Sequence, residues 1–370
     1  MNAANSRTKL TAWQQKQAAM LSYFSSLDYL TELHKMVSCL INGTVEPVLD
    51  QARLQKRDAV LVDPRWGSRS TSQNWSNYGW PYLKELQLSL AEDIAARASG
   101  MYSRTSVSEH LRGVEQFSLD WMTPGEECLF TEATQRISEW AAPIDLTMYD
   151  ARSSGWNDYD FAYSYPQFAT RFTEIPRYRI RTDVIHSSGA IPGKTGIYIS
   201  TDDPNATLQF AWTGAEGRKL RDAATFNEVG LAALAAVGRD DLWFNTGKMF
   251  DFTTSPQFER MFHDDVIWND GPHPNLAPSA VARKAFTTKA STWYLVEPIE
   301  GEFDRLDDLG SVEQTKQGPR IVGGEMCTEA GFYFSPSRTD SRRYLSKGEY
   351  APIFDSQYGT TLWQWDTNQA

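Results

Sequence analysis

Hydrophobic spacing changes character near Pro143, and that change bounds the fold. Ahead of it, apolar residues recur at three- and four-residue steps. Met20, Phe24, Leu27, Leu30, Leu33, Val37, Leu40 and Ile41 form one stripe of an amphipathic helix. Asn42-Gly43, both tolerant of left-handed backbone, predicts its end. The pattern returns over Pro81–Ala98 through Leu83, Leu86, Leu90 and Ile94, with Pro81 near the first turn and Gly100 beyond the last. It returns over Ser108–Trp121 through Leu111, Val114 and Phe117, and over Pro124–Ala142 through Leu129, Ala133, Ile137 and Trp140, where Pro143 is expected to stop it. Helices with modest connections predict a bundle-like half. The polar stretch Asp63–Tyr78 reads as a long loop.

Beyond Pro143 the apolar runs become short, β-branched or aromatic, and bounded by Gly, Pro, Asp and Asn. Arg179–Ile185, Gly196–Ser200, Ala206–Trp212, Thr292–Glu297, Gly331–Ser335 and Thr360–Trp365 read as strands. One helix interrupts them. Thr225 is its expected N-cap with Glu228 completing a capping box, and Gly238 its stop. The fold class is therefore α+β. A helical N-terminal, bundle-like region (1–178) packs on a strand-rich, mainly antiparallel region (179–370). Gly196-Ile-Tyr-Ile-Ser200 resembles Gly331-Phe-Tyr-Phe-Ser335, and each precedes a Thr-Leu strand, Thr207-Leu208 and Thr361-Leu362. This is either a duplicated β unit or a coincidence of strand composition.

Aromatic residues make up 13% of the chain, as 13 Trp, 16 Tyr and 18 Phe. Such an excess is core or sticky surface. Trp121, Trp140, Trp212, Trp363 and Trp365 sit on periodic positions and are assigned to core. Trp66, Trp75, Trp80 and Trp156 do not, so they are candidates for a partner surface. Tyr159, Phe161, Tyr163 and Tyr165 alternate with Asp158, Asp160, Ala162 and Ser164. Period two places all four rings on one face of an extended segment that Pro166 ends or marks as an edge. That segment is a strand packed on the helical half, or an exposed ladder for a sugar or protein partner.

Lys and Arg number 36 and Asp and Glu 47, a net charge of −11 that lies mostly in the second half. A field of that sign repels phosphate backbones, which argues against nucleic-acid binding and suits a basic partner. Cys39, Cys128 and Cys327 are widely spaced. They offer no zinc pair and no disulfide framework, which fits a reducing compartment. The first residues lack an apolar leader core, and Val229–Gly238 is about half the length of a membrane span. A soluble, cytoplasmic protein with no membrane partner is expected.

No nucleophile elbow, dinucleotide fingerprint or His-Glu-x-x-His occurs. Gly193-Lys194-Thr195 ends like a phosphate loop, but Ser188 stands where the first glycine is needed. His263-Asp264-Asp265 with His273 matches no metal spacing and reads as a solvated loop. Neither metal nor cofactor is expected. Carboxylate pairs recur at Asp202-Asp203, Asp240-Asp241 and Asp307-Asp308. The densest acidic run is Glu297, Glu300, Glu302, Asp304, Asp307, Asp308 and Glu313, opposed by Arg305. It reads as a solvated loop or as a surface steering a basic protein.

Four C-terminal motifs carry a family resemblance. They are Cys327-Thr-Glu-Ala-Gly331-Phe-Tyr-Phe, Ser341-Arg342-Arg343-Tyr344, Gly348-Glu349-Tyr-Ala-Pro352 and Tyr358-Gly359-Thr-Thr-Leu-Trp363-Gln-Trp365. Leu208-Gln-Phe-Ala-Trp212, Thr225-Phe-Asn-Glu-Val-Gly230 and Gly238-Arg239-Asp-Asp-Leu-Trp243 extend the pattern. Together they resemble bacterial polymorphic-toxin immunity proteins, in particular the immunity families numbered seventy-one and seventy-two. The resemblance implies a non-catalytic inhibitor. It would bind a cognate antibacterial effector, often one delivered by a type VI secretion system, and protect the producing cell by occluding the toxin. These motifs are Gly/aromatic scaffolding, and the toxin-contacting residues are expected in variable loops. From the residues themselves, the candidate contact is Glu297, Glu300, Glu302, Asp304, Asp307 and Asp308 with Tyr159 and Tyr163. The alternative is a carbohydrate-binding or carbohydrate-active protein using the aromatic ladder and a carboxylate pair.

Overall fold

The computed structural model describes residues 9–148, 155–172, 174–213, 219–263, 265–268, 271–305, 321–335, 341–353 and 361–366. The apolar stripe from Met20 to Ile41 forms two helices, α1 (Ala12–Ser25) and α2 (Leu27–Cys39). Ser26 divides them. Its extended backbone (ψ 153°) ends α1, while its hydroxyl accepts from the Tyr29 N–H and caps α2. Asn42-Gly43 does not stop the chain. Both lie in a widened π turn, Leu40–Val45, that runs straight into α3 (Glu46–Leu54) and keeps Ile41 and Val45 buried.

The expected loop Asp63–Tyr78 contains α4 (Ser72–Tyr78). The Asp58 carboxylate accepts from the Ser72 and Gln73 N–H groups at the start of α4, and Thr71 caps it. This helix carries Trp75 into the core against Trp121, 5.2 Å between ring centroids. Helix α5 (Trp80–Ala98) follows, then α6 (Val107–Val114), which ends well before Trp121. Helix α7 (Pro124–Thr147) continues through Pro143. The proline removes one backbone donor, yet Ile144 and Thr147 beyond it are buried, and the Thr147 hydroxyl donates to the Pro143 carbonyl at 2.8 Å. Burial outweighs the lost bond. Helix α2 packs against α5 and α7, with α6 between α5 and α7.

The aromatic run is also helical, as α8 (Asp158–Phe168) with Pro166 inside it. Asn157 and Asp160 form a reciprocal capping box, and this local bonding overrides the two-residue alternation. The rings therefore diverge. Phe161 and Tyr165 are buried, while Tyr163 is 66% exposed.

The strand-rich part opens with β1 (Glu174–Ser187), β2 (Gly196–Ser200) and β3 (Gln209–Ala211). A second antiparallel pair is β4 (Ala223–Phe226) with β5 (Phe286–Lys289). Thr225 belongs to β4, and Asn227 caps α9 (Glu228–Val237) in its place, accepting from the Val229 and Gly230 N–H groups. Helices α10 (Thr246–Thr254), α11 (Glu259–Phe262) and α12 (Ala277–Ala282) join α9 in a separate apolar cluster. Strand β6 (Thr292–Arg305) returns to complete a four-stranded antiparallel sheet, ordered β1-β6-β2-β3. Its inner side chains, Ile197, Ile199, Phe210 and Val296, share one core with the N-terminal helices. The fold is α+β, with helices mostly ahead of strands.

A second antiparallel sheet lies C-terminal, ordered β7 (Ile321–Val322), β10 (Leu362–Trp365), β8 (Gly331–Phe334) and β9 (Arg343–Leu345). Among the described residues its core comprises Ile321, Cys327, Tyr333, Leu345, Ala351 and Trp363, with Trp365 at its margin. The sequence repeat has a structural counterpart here. Strands β2 and β8 each pair antiparallel with the following Thr-Leu strand. Each holds a fully buried tyrosine whose hydroxyl donates to the carbonyl four residues back, Tyr198 to Lys194 at 2.6 Å and Tyr333 to Glu329 at 2.7 Å. The ladders differ, since Tyr198 faces Gln209 whereas Tyr333 faces Trp365, two residues beyond the equivalent position. No described helix is long and apolar enough to cross a membrane.

Candidate functional site

The acidic run occupies the far end of β6, where the sheet narrows to a ribbon. Strand β2 pairs with β6 only from Trp293 to Val296, while β1 continues alongside to Arg305. The pairing is interrupted twice, between Arg181 and Ile185 and between Pro176 and Tyr178. Pro176 faces Phe303 and Tyr178 faces Pro298, so four residues of β6, Ile299–Glu302, lie opposite Arg177 alone. Gly301 takes a φ of +75°, a backbone shape that glycine adopts without a Cβ clash. The result is a wide bulge presenting Glu300 and Glu302 outward, with Phe303 beside them at 55% exposure.

Cations of β1 meet these acids. The Glu297 carboxylate, on the sheet side of the bulge, accepts from Arg179 at 3.0 Å, Arg181 at 2.9 Å and Lys194 at 3.4 Å. Hydrogen bonds from Arg181 lead in holding its carboxyl below the ordinary range. Asp304 accepts from the Arg177 guanidinium, and Glu302 lies 3.7 Å from the same group. Arg181 also holds Asp183 down at about 2. Glu300 is exposed and meets no cation among the described residues. The face is thus a banded array of arginines and carboxylates, with Glu300 and Phe303 unengaged. Asp307, Asp308 and Glu313 lie outside the described residues. Lys194 of the phosphate-loop-like segment is committed to Glu297, in the connection between β1 and β2.

Tyr159 and Tyr163 are not part of the ribbon. Tyr159 packs edge-on against Trp243 at 5.3 Å, on the side of α8 facing the α9–α12 cluster, and Tyr163 lies 6.1 Å from it. Burial raises the Tyr159 hydroxyl's pKa. The candidate residues therefore fall in two places. Of the off-pattern tryptophans, Trp75 and Trp156 are core, Trp80 is half-buried and Trp66 is exposed at 64%. Among those assigned to core, Trp121, Trp212 and Trp363 are buried, and Trp140 and Trp365 half-buried.

Asp202, Asp203 and Asp241 of the carboxylate pairs act as staples. Asp202 accepts from the Thr292 N–H at 3.0 Å, and Asp203 from Thr225 at 2.9 Å and Lys289 at 2.7 Å. Asp241 is paired with Lys248. Among the described residues no three His, Cys, Asp or Glu side chains gather where they would hold a metal ion, and Asp264 lies outside them.

Sequence reasoning missed a buried, heavily bonded carboxylate. Asp158, 3% exposed, accepts from the Trp13 indole at 2.7 Å, the Trp243 indole at 2.8 Å and the Arg239 guanidinium at 2.8 Å through both oxygens. It ties α1, α8 and the turn after α9 together. The Asn157-x-x-Asp160 spacing was the available signal, since a capping box there fixes Asp158 in a first helical turn.

Compared with protein-family profiles, curated proteins and solved structures, the chain matches none. The immunity-protein resemblance rests on the motifs quoted above.

Proposed function

We propose that this chain is an immunity protein, binding a cognate antibacterial effector in the producing cell's cytoplasm and neutralising it by occlusion. The observation that supports this reading best is the bulged ribbon of β1 and β6. It runs on past β2, with Ile175 and Tyr178 buried in the shared core and Arg177, Glu300, Glu302 and Phe303 exposed. It carries a preset pattern of charge with one unpaired acid and one exposed phenyl ring. Alternating charges fix register and discriminate partners, and an unpaired charge steers encounter. Fixing the pattern before binding lowers the ordering cost. The aromatic run, being helical, supplies no flat ladder for a sugar.

A growth test examines this. The reading frames on either side of this one are expressed singly in a susceptible bacterium, then together with this chain. One neighbour should arrest growth and co-expression should restore it. If neither neighbour is toxic, or a toxic one is not relieved, the reading fails. Glu300→Lys with Phe303→Ala should then slow association with that effector by roughly tenfold or more. Unchanged association kinetics would remove the ribbon from the contact.

A further inference from the structure

A second exposed feature lies on the helical half and does not depend on the proposed inhibitory role. Residues 62–67 form a tight, preset turn. Asp63 and Gly67 exchange backbone hydrogen bonds at 3.0 and 2.8 Å. The Asp63 carboxylate also accepts from the Arg65 and Trp66 N–H groups, and Gly67 takes a φ of +66°. The turn holds Trp66 out at 64% exposure, with the Arg69 guanidinium 5.8 Å from its ring. Val60 (86%) and Val62 (59%) flank it. Lys56, Arg65 and Arg69 are exposed and enter no ion pair among the described residues. A basic, apolar knob is therefore held rigid on a chain whose net charge is −11.

The complementary hole is on the same end of the same molecule. A cleft of about 250 Å³ between α6, the segment after it and α7 is lined by Leu111, Val114, Phe117, Leu119 and Phe130. Glu115 and Glu127 stand at its rim, exposed and in no ion pair among the described residues. That space is larger than the roughly 150 Å³ cavity that admits a benzene ring, so an indole is a reasonable occupant. The knob does not fill its own hole, as its exposure shows. Short links hold the two side by side. Arg57 pairs with Glu126 at 2.6 Å and donates to the Trp121 carbonyl at 3.3 Å.

We propose that this face is a self-association surface, in which Trp66 of each copy enters the acidic-rimmed cleft of a second copy about a two-fold axis. A knob and a hole of opposite charge on one face satisfy the requirement of an isologous interface, where each residue pair occurs twice. Trp and Arg are among the residues enriched at the few positions that dominate binding at such contacts. The preset turn leaves little to order on association.

Sedimentation of the full chain across a concentration series tests this. The wild-type protein should shift from 41.9 kDa towards twice that mass. Trp66→Ala, at an exposed site that leaves the fold intact, should weaken the dimer by about thirtyfold or more. The decisive arm uses two charge-reversed chains, Arg65→Glu/Arg69→Glu and Glu115→Arg/Glu127→Arg. Each alone should be monomeric, because like charges then meet at both contacts. Mixed, they should form a heterodimer, because both contacts regain opposite charge. A wild-type chain that stays monomeric at high concentration would overturn the proposal. So would a dimer indifferent to Trp66→Ala, or failure of the mixture to pair. Association of Trp66 only with a different protein or with anionic vesicles would also overturn it.

Discussion

The two four-stranded sheets have related hairpins and very different support. The β1-β6-β2-β3 sheet lays Ile197, Ile199, Phe210 and Val296 into a core shared with the N-terminal helices. Tyr102, in the loop after α5, seals that contact against Phe210 at 5.1 Å and Trp212 at 5.7 Å. The β7-β10-β8-β9 sheet encloses a separate small core around Tyr333 and Trp363. Similar strand sequences thus produce similar local bonds, such as the paired tyrosine hydroxyls. Stability is set by what each sheet packs on, because apolar area removed from water dominates and the small sheet buries little of it.

The sharpest way to break this comparison is Trp363→Ala. Its ring is fully buried and its indole donates to the Pro352 carbonyl at 2.8 Å. Loss of a buried tryptophan costs about 3–5 kcal/mol, which a core of this size cannot absorb. Hydrogen exchange should show residues 321–366 losing protection while β1 and β6 keep theirs. Simultaneous loss in both sheets would show that they unfold as one unit.

Asp158→Ala should act on the other side of the comparison. It leaves two indole N–H groups and Arg239 without their acceptor. Arg239 reaches solvent on one side, so the cost is about 2–4 kcal/mol. The main thermal transition should fall, with the small sheet's local protection unchanged. A drop confined to residues 321–366 would contradict the assignment of Asp158 to the larger body.

Asp145 gives the larger body a pH signature. Its carboxylate accepts from the Thr105 N–H at 2.7 Å and from the Thr105 hydroxyl, fastening the loop that carries Tyr102. Burial pushes its pKa up to about 6, opposed by those bonds and by Arg104. A carboxyl raised in the folded state holds its proton there while the unfolded chain releases it near pH 4. Stability from this group is present in acid and falls as pH rises from about 4 to about 6. The shift corresponds to roughly 2–3 kcal/mol. Denaturant unfolding of Asp145→Asn should lack that part of the decline between pH 4.5 and 7. A variant with the wild-type pH profile would remove Asp145 as its source.

Sequence pattern revealed fold class and the larger elements because burial on one face repeats along helices and strands. It failed where a local side-chain bond competes with that repeat. Ser26 splits a continuous stripe, and Asn157 with Asp160 turns an alternating run into a helix. It also failed at Pro143, where tertiary burial carries a helix past a missing donor. The acidic run was visible as composition. Its engagement was not, since Arg177, Arg179 and Arg181 lie more than a hundred residues away and meet it only through strand register. Trp66 stood out as an off-pattern aromatic, but no local signal linked it to a cleft formed by α6 and α7.

The finest test of the two-sheet comparison removes one oxygen from each. Tyr198→Phe and Tyr333→Phe delete equivalent hydroxyls and leave the Lys194 and Glu329 carbonyls without that donor. Each should cost about 1 kcal/mol, the same loss in two different settings. Tyr198→Phe should appear in the main unfolding transition, because Ile197 and Ile199 on either side of it anchor β2 in the shared core, while Tyr198 itself packs with Trp293 and Leu295 on the sheet's other face. Tyr333→Phe should leave that transition in place and raise exchange only within residues 321–366. If both changes shift the main transition equally, the two sheets are energetically coupled and the separation of their cores has no consequence for stability.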